Sequence, residues 1–125
     1  MENSERKHLL IVDDEQGILK FLKLKLEIAG FLVDMCSSGQ EALDIISKNQ
    51  PDLMLLDIFM PGMDGFEVLK ELRKNYRLPI IVLSARSSIA EQALSMGASD
   101  FIAKPFNPDV VVKRIKAFLN GINPV

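Results

Sequence analysis

The sequence predicts an α/β fold, a doubly wound five-stranded parallel sheet with five helices. Three observations predict it. Short apolar runs alternate with longer amphipathic stretches five times over. The first, third and fourth runs are almost continuously apolar, as expected of central parallel strands covered on both faces. Helix-starting and helix-stopping residues stand at the borders between the stretches. Strict alternation of strand and helix then implies right-handed crossovers and helices on both faces of the sheet.

The elements follow in order. "HLLIV" (8–12) is the first strand, and residues 15–29 form the first helix. Ile18, Leu22, Leu26 and Ala29 make its core stripe, with Leu19 and Phe21 on the flanks. Leu24 and Ile28 widen the apolar arc, which is read as extra packing in preference to an exposed docking patch. Gly30 supplies a left-handed stop. "FLVDM" (31–35) is the second strand, and Ser38 with Glu41 has capping-box spacing at the start of a helix over 38–48. "DLMLL" (52–56) is the third strand; Asp57 and the turn Met60-Pro61-Gly62 end it. Asp64 and Glu67 repeat the capping-box spacing before a helix over 64–75. "PIIVL" (79–83) leads to a helix over 87–96 that Gly97 stops, and "DFIAK" (100–104) is the fifth strand. Asn107-Pro108 offers an N-cap and a first-turn proline for the last helix, 108–119, with Gly121 beyond it. Residues 7–121 are expected to form one domain, with 1–6 a flexible N-terminus and 122–125 a tail or the start of a linker.

Composition excludes several function classes. A chain of 125 residues suits one hydrophobic core. A formal charge of −2 gives no electrostatic footprint for nucleic acid or anionic lipid, so direct nucleic-acid binding by this segment is not expected. The apolar runs have strand length, short of the roughly 20 residues that a membrane span requires. "MENSERK" is polar and no apolar region follows it, so no secretory signal is visible. The single Cys36 rules out an internal disulfide framework and fits a reducing, cytoplasmic setting. It is read as a small surface-loop or packing residue.

In an open parallel sheet, ligands bind beyond the carboxyl ends of the strands. Those ends carry Asp13-Asp14-Glu15, Asp57, Ser84 and Lys104-Pro105. Taken alone, Asp13 or Asp14 suits a helix N-cap, Ser84 suits a loop start and Lys104 suits a solvated surface. Asp57 fits such readings least, because its strand is apolar and the next cap, Asp64, lies well beyond it. Two carboxylates about 4 Å apart repel by roughly 4 kcal/mol at an effective dielectric of 20. A cluster of three therefore holds a proton or binds a cation. Oxygen-only ligands point to a hard divalent ion, with Mg²⁺ the natural candidate, and Lys104 would supply a second cation for phosphoryl chemistry.

At this point residues 7–120 resemble the receiver (response regulator) domain of two-component signalling. The resemblance rests on "IVDDE", "LLDIFMPGMDGFEVL", "LSA" and "GASDFIAKPF" in that order. It implies a flavodoxin-like strand order of 2-1-3-4-5. It also implies that Asp57 is the phosphoacceptor and that Asp14, Asp13, Asp57 and the backbone carbonyl of Phe59 hold Mg²⁺. Ser84 would hydrogen-bond the phosphoryl group, Lys104 would pair with it, and Lys104-Pro105 would be cis. The donor would be a phosphohistidine on a sensor histidine kinase or phosphotransfer protein. Ser84 and Phe101 would form the switch that reshapes the surface of the fourth helix, fifth strand and fifth helix. Self-catalysed phosphotransfer and dephosphorylation would accompany this role, without an independent small-molecule substrate.

Several positions sharpen or limit the resemblance. Phe59 is bulky beside Asp57 and is expected to restrict an attacking water. Arg86 either reaches the same rim or lies in solvent. Asp100 and Arg114 occupy positions resembling the dimer-forming charges of winged-helix regulators, although Val110 replaces an acidic residue often found there. His8 lies at the opposite end of the sheet and is read as structural or solvated. A haloacid-dehalogenase-like enzyme would need a second aspartate where Phe59 stands. A flavodoxin-like cofactor binder would need a first loop that does not repel phosphate. A phosphorylation-independent interaction module could dispense with the acids, hydroxyl and lysine altogether.

Overall fold

The computed structural model describes residues 6–120 apart from Gln16, Pro61 and Met63, and leaves the side chain of Ile18 undescribed. Pro61 of the expected turn, Gly121, the place of Ile18 in the helix stripe, and the termini at 1–5 and 121–125 thus lie outside the described residues. The strands are β1 (His8–Val12), β2 (Leu32–Cys36), β3 (Leu53–Asp57), β4 (Ile80–Ser84) and β5 (Asp100–Ala103). The helices are α1 (Gly17–Ile28), α2 (Gly39–Lys48), α3 (Gly65–Arg73), α4 (Ala90–Ser95) and α5 (Pro108–Leu119), with a 3₁₀ turn at Ser87–Ile89. All pairings are parallel, in the order β2-β1-β3-β4-β5.

The sheet buries both faces, and alternation along each strand divides the core in two. Leu10, Val12, Met54, Leu56, Ile80 and Val82 face α2, α3 and α4. Leu9, Ile11, Leu53, Leu55, Ile81 and Leu83 face α1 and α5. With both faces covered, every residue of β3 and β4 is buried, including the terminal Asp57 and Ser84.

Three strands begin one residue later than the apolar runs suggest. Each of β2, β3 and β4 gives up its first residue to the preceding connection and gains a polar or sulfur-bearing residue at its end. Cys36, Asp57 and Ser84 are therefore the last residues of their strands rather than the first of the loops.

The caps largely match their spacing. Asp64 and Glu67 form a full reciprocal capping box, and Asn107 caps α5. Ser38 accepts the Glu41 N–H at 3.2 Å, but Glu41 reaches back to the N–H of Ser37 rather than to that of the cap residue. Gly30 and Gly97 adopt positive φ of 104° and 110°, where other residues would be strained.

The first helix corrects the packing expectation. Leu19, Leu22 and Leu26 are fully buried, so Leu19 belongs to the inward stripe and not to its flank. Phe21, Leu24 and Ile28 are 54%, 52% and 77% exposed. At about 100° per residue these three lie on the side opposite the buried stripe. The sheet can cover only one face of a helix, so the wide arc becomes an exposed apolar stripe, not extra core.

Candidate functional site

The carboxyl ends of β1, β3, β4 and β5 converge on one rim. Asp13 follows β1 and is kept at the sheet by its N–H, which donates to the Cys36 carbonyl at 3.1 Å. One of its carboxylate oxygens accepts the Glu15 N–H at 2.9 Å, and the other accepts from Lys104 Nζ at 2.8 Å. Asp13 is 1% exposed, so this is an internal ion pair and not an ordinary surface cap.

Asp57 ends β3 at 5% exposure. The Phe59 N–H donates to its Oδ1 at 3.4 Å, and Lys104 Nζ stands 3.7 Å from its Oδ2. Directly behind it, α3 begins against the strand end: the Gly65 N–H donates to the Ile58 carbonyl at 2.7 Å. A Cβ at Gly65 would meet Ile58 Cα at 2.4 Å and the Asp57 carbonyl at 2.6 Å, so only glycine permits that approach. The sequence reading passed over Gly65. Its signal was a glycine next to the Asp64 cap, just past the Asp57 turn.

Ser84 is fully buried, and its Oγ accepts the Arg86 N–H at 3.1 Å. Its carbonyl accepts the Lys104 N–H at 2.8 Å, which sets where the lysine leaves β5. Lys104-Pro105 is cis. The ammonium also bonds Glu15 Oε1 at 2.8 Å, a partner that local sequence could not supply because 89 residues separate the two.

One oxygen each from Asp13, Asp14 and Asp57 lies within 4.8 Å of the others. Three carboxylates, of Asp13, Glu15 and Asp57, thus surround one ammonium, with Asp14 beside Asp13 and Asp57. Burial, followed by the charge of Asp13, pushes Asp57 up to about 6 against the pull of Lys104 and the Phe59 N–H. Burial works to lower Lys104, but its bonds to Asp13 and Glu15, with the charges of Asp13 and Asp57, push it up to about 12. The hydrogen bond from Lys104, and then its charge, lowers Glu15. The rim is therefore short of positive charge at Asp57. Oxygen donors and a surplus of negative charge fit a hard divalent cation such as Mg²⁺. A cavity of about 290 Å³ lined by Asp14, Glu15, Asp57, Phe59, Ala85 and Lys104 opens beside them.

The remaining expected residues are placed as follows. Phe101 is half-buried on β5 and packs against the core under α3 and α4. Arg86 is at the rim, its guanidinium carbon 4.6 Å from the centroid of the Phe59 ring. Asp100 and Arg114 bond each other within the chain. Cys36 is buried and its thiol is pushed up to about 11, by burial first and then by Glu41, which keeps it unreactive. His8 bonds Asp34 at 2.7 Å at the far end of the sheet.

Residues 9–116 match the family model of the response regulator receiver domain. The chain is similar to the probable transcriptional regulator ycf27 of Guillardia theta, with 41% identity over 125 residues, 98% of this chain and 48% of that protein. A putative response regulator from Chloroflexus aurantiacus J-10-fl superposes with a TM-score of 0.88 at 39% identity, covering 93% of this chain and 99% of that one. The Francisella response regulator 1452 receiver domain does so with a TM-score of 0.88 at 33% identity, covering 94% and 100%. The chain spans about half the length of the curated relatives it matches.

Proposed function

This chain belongs to the response regulator receiver domain family, and from that premise we propose that it is a phosphorylation-activated switch with Asp57 as its phosphoacceptor. The convergence of Asp13, Asp14 and Asp57 within 4.8 Å, with Lys104 beside them, carries the reading. Asp13, Asp14, Asp57 and the carbonyl of Phe59 would hold Mg²⁺, which would supply charge neutralisation at the phosphoryl oxygens.

The chain's own groups account for the rest. With its pKa near 6, Asp57 is mostly ionised at neutral pH and can act as nucleophile. Its oxygen bonds to phosphorus as the phosphorus–nitrogen bond of a phosphohistidine donor breaks. That electron pair returns to the donor imidazole, carried by a sensor histidine kinase or phosphotransfer protein. Phosphoryl transfer asks mainly for positioning and neutralisation. Lys104, now shared between Asp13 and Glu15, would turn to a phosphoryl oxygen, and the hydroxyl of Ser84 would donate to another. Ser84 and Phe101 lie on neighbouring strands, β4 and β5, so movement at the first would alter packing at the second. The output would be the face of α4, β5 and α5, where Leu94 and Val110 are exposed and Arg114 bonds Asp100. This face would also support a homodimer.

We assign a receiver domain to 7–121 and a cytoplasmic location. Among the described residues no helix is long and apolar enough to cross a membrane. The chain is regulatory rather than a metabolic enzyme, and its own chemistry would be limited to phosphotransfer and self-dephosphorylation. No direct nucleic-acid contact is assigned to this segment. Incubation with Mg²⁺ and acetyl phosphate, followed by intact-mass measurement, tests the proposal. One added phosphoryl group in the wild type and none in Asp57→Ala is expected; no addition to the wild type overturns it.

A further inference from the structure

The two ends of α4 are held unequally. At its carboxyl end the chain closes in a double turn. The Gly97 N–H donates to the Leu94 carbonyl at 3.1 Å, and the Ala98 N–H to the Ala93 carbonyl at 3.0 Å. The positive φ of Gly97 permits that turn. Its carbonyl accepts from Arg73 Nε at 2.9 Å, while Arg73 Nη1 donates to the Tyr76 carbonyl at 3.1 Å. The arginine lies directly against the glycine, since a Cβ there would meet Arg73 Cγ at 2.8 Å and Nε at 3.1 Å. The Ser99 N–H then donates to the Ile80 carbonyl at 2.7 Å and leads the chain into β5. The amino end has no such fastening. The 3₁₀ turn Ser87–Ile89 contains no buried residue, and neither it nor α4 has a side-chain cap. Within α4 only Ala93 is buried.

A basic residue in the last turn of α3 has an ordinary role, which is to meet the free carbonyls at its own helix end. The Tyr76 bond is of that kind. The Gly97 bond is not, because it reaches 24 residues along the chain to another helix. Among the described residues Arg73 forms no ion pair, so its charge is met by these two carbonyls. A planar fork suits two fixed acceptors, where an ammonium presents a single point charge.

We propose that Arg73 is the pivot of α4: it fixes the carboxyl end of that helix to α3, so that a change at the Asp57 rim moves the amino end and leaves the carboxyl end in place. The proposal rests on the phosphoacceptor reading above for its signal, whereas the clamp belongs to the resting chain. Ser84 ends β4, and the chain runs from it through the 3₁₀ turn into α4. Movement at Ser84 therefore enters α4 at the loosely held end. With the far end clamped the helix swings; with that end free, the same movement is spread along the helix.

The test follows backbone amides by NMR in the isotope-labelled chain, first without a phosphodonor. Arg73→Gln is expected to speed hydrogen exchange roughly tenfold at Gly97 and Ala98, the equilibrium equivalent of losing one hydrogen bond from a charged donor. Amides of β1 and β3 are expected to keep their wild-type rates. Arg73→Lys is expected to behave like Arg73→Gln; wild-type protection in the lysine variant would make charge at a helix end sufficient and overturn the clamp. Unchanged exchange at Gly97 and Ala98 in Arg73→Gln overturns it, as does faster exchange spread equally over the sheet, the mark of a general strut. Excess acetyl phosphate with Mg²⁺ is then added, and intact mass checks the label. In the wild type, amide shifts over 87–91 are expected to exceed those over 96–99, and in Arg73→Gln the two segments are expected to shift alike. A variant that keeps the wild-type contrast overturns the pivot. If no phosphoryl group is added, the phosphoacceptor reading itself fails and the pivot loses its signal. A labelled wild type with equal shifts in both segments defeats the pivot alone.

Discussion

Both ends of the sheet gather acidic side chains, yet their surroundings differ. At the amino end, His8 donates its N–H to Asp52 at 2.7 Å and its ring lies 2.7 Å from Asp34. The Asp34 side chain is 65% exposed, so water serves its remaining oxygen capacity. At the carboxyl end, Asp13 and Asp57 are almost wholly buried and face each other. The larger cavity, about 680 Å³, is at the amino end, whereas the one beside Asp57 measures about 290 Å³. On the proposed function, volume is not what marks the site. Convergence of buried like charges is, because it would leave electrostatic energy to be recovered by a cation or a phosphoryl group.

The largest effect would break this comparison outright. Asp57→Asn is expected to abolish phosphoryl acceptance from acetyl phosphate, while Asp34→Asn leaves it intact, both read by intact mass. Equal loss in the two variants would remove the distinction between the rims. Next in size is Gly65→Ala. The added methyl would meet backbone atoms at 2.4 and 2.6 Å, which cannot swing aside as a side chain can. A cost of about 3 kcal/mol, at the upper end for overpacking, is expected in urea denaturation. The folded fraction is also expected to accept phosphoryl groups poorly, because the Asp57 strand end must shift. A neutral outcome would show that α3 can retreat without disturbing the site.

These two predictions also mark what could be read from sequence. The alternation of runs and the border residues located every strand and helix, because both depend on local periodicity and caps. The rim acids and lysine were legible because strand ends in a parallel sheet point to one edge. Strand order was different: nothing local states it, and it came from the resemblance. The partner of Lys104 was also out of reach, since its bonds to Asp13 and Glu15 span 91 and 89 residues. Leu24 and Ile28 read as extra packing, with Phe21 on the flank of the stripe, because periodicity counts apolar positions without knowing how many faces the sheet can cover. Arg86 was undecided for a similar reason, as its place depends on the Phe59 ring from another loop.

A smaller prediction uses pH to sharpen the contrast. The folded pKa of Asp57, about 6, lies above its ordinary 3.8. The folded state thus binds more protons than the unfolded state between these values. Stability contributed by this group is present below about 4, falls as pH rises to about 6, and stays low above it. With metal chelated, Asp57→Asn should be more stable than the wild type by an amount on the order of 1–3 kcal/mol at pH 7. The difference should shrink as pH falls towards 4, read from melting temperatures across that range. Added Mg²⁺ should raise the wild type at pH 7 and have little effect on the variant. A constant difference at all pH values would show that Asp57 is not the strained carboxylate.

The smallest effect belongs to the amino end. Asp34→Ala removes the carboxylate beside His8, but the lost acid was largely in water, although the imidazole itself is mostly covered. Exposed pairs of this kind contribute roughly 0–1 kcal/mol, and a change within that range is expected in the urea midpoint, fading further at high salt. A cost of several kcal/mol, insensitive to salt, would mean that the amino end also stores buried electrostatic energy. Burial of facing carboxylates would then cease to separate the two ends, and the larger cavity would regain its claim as a site.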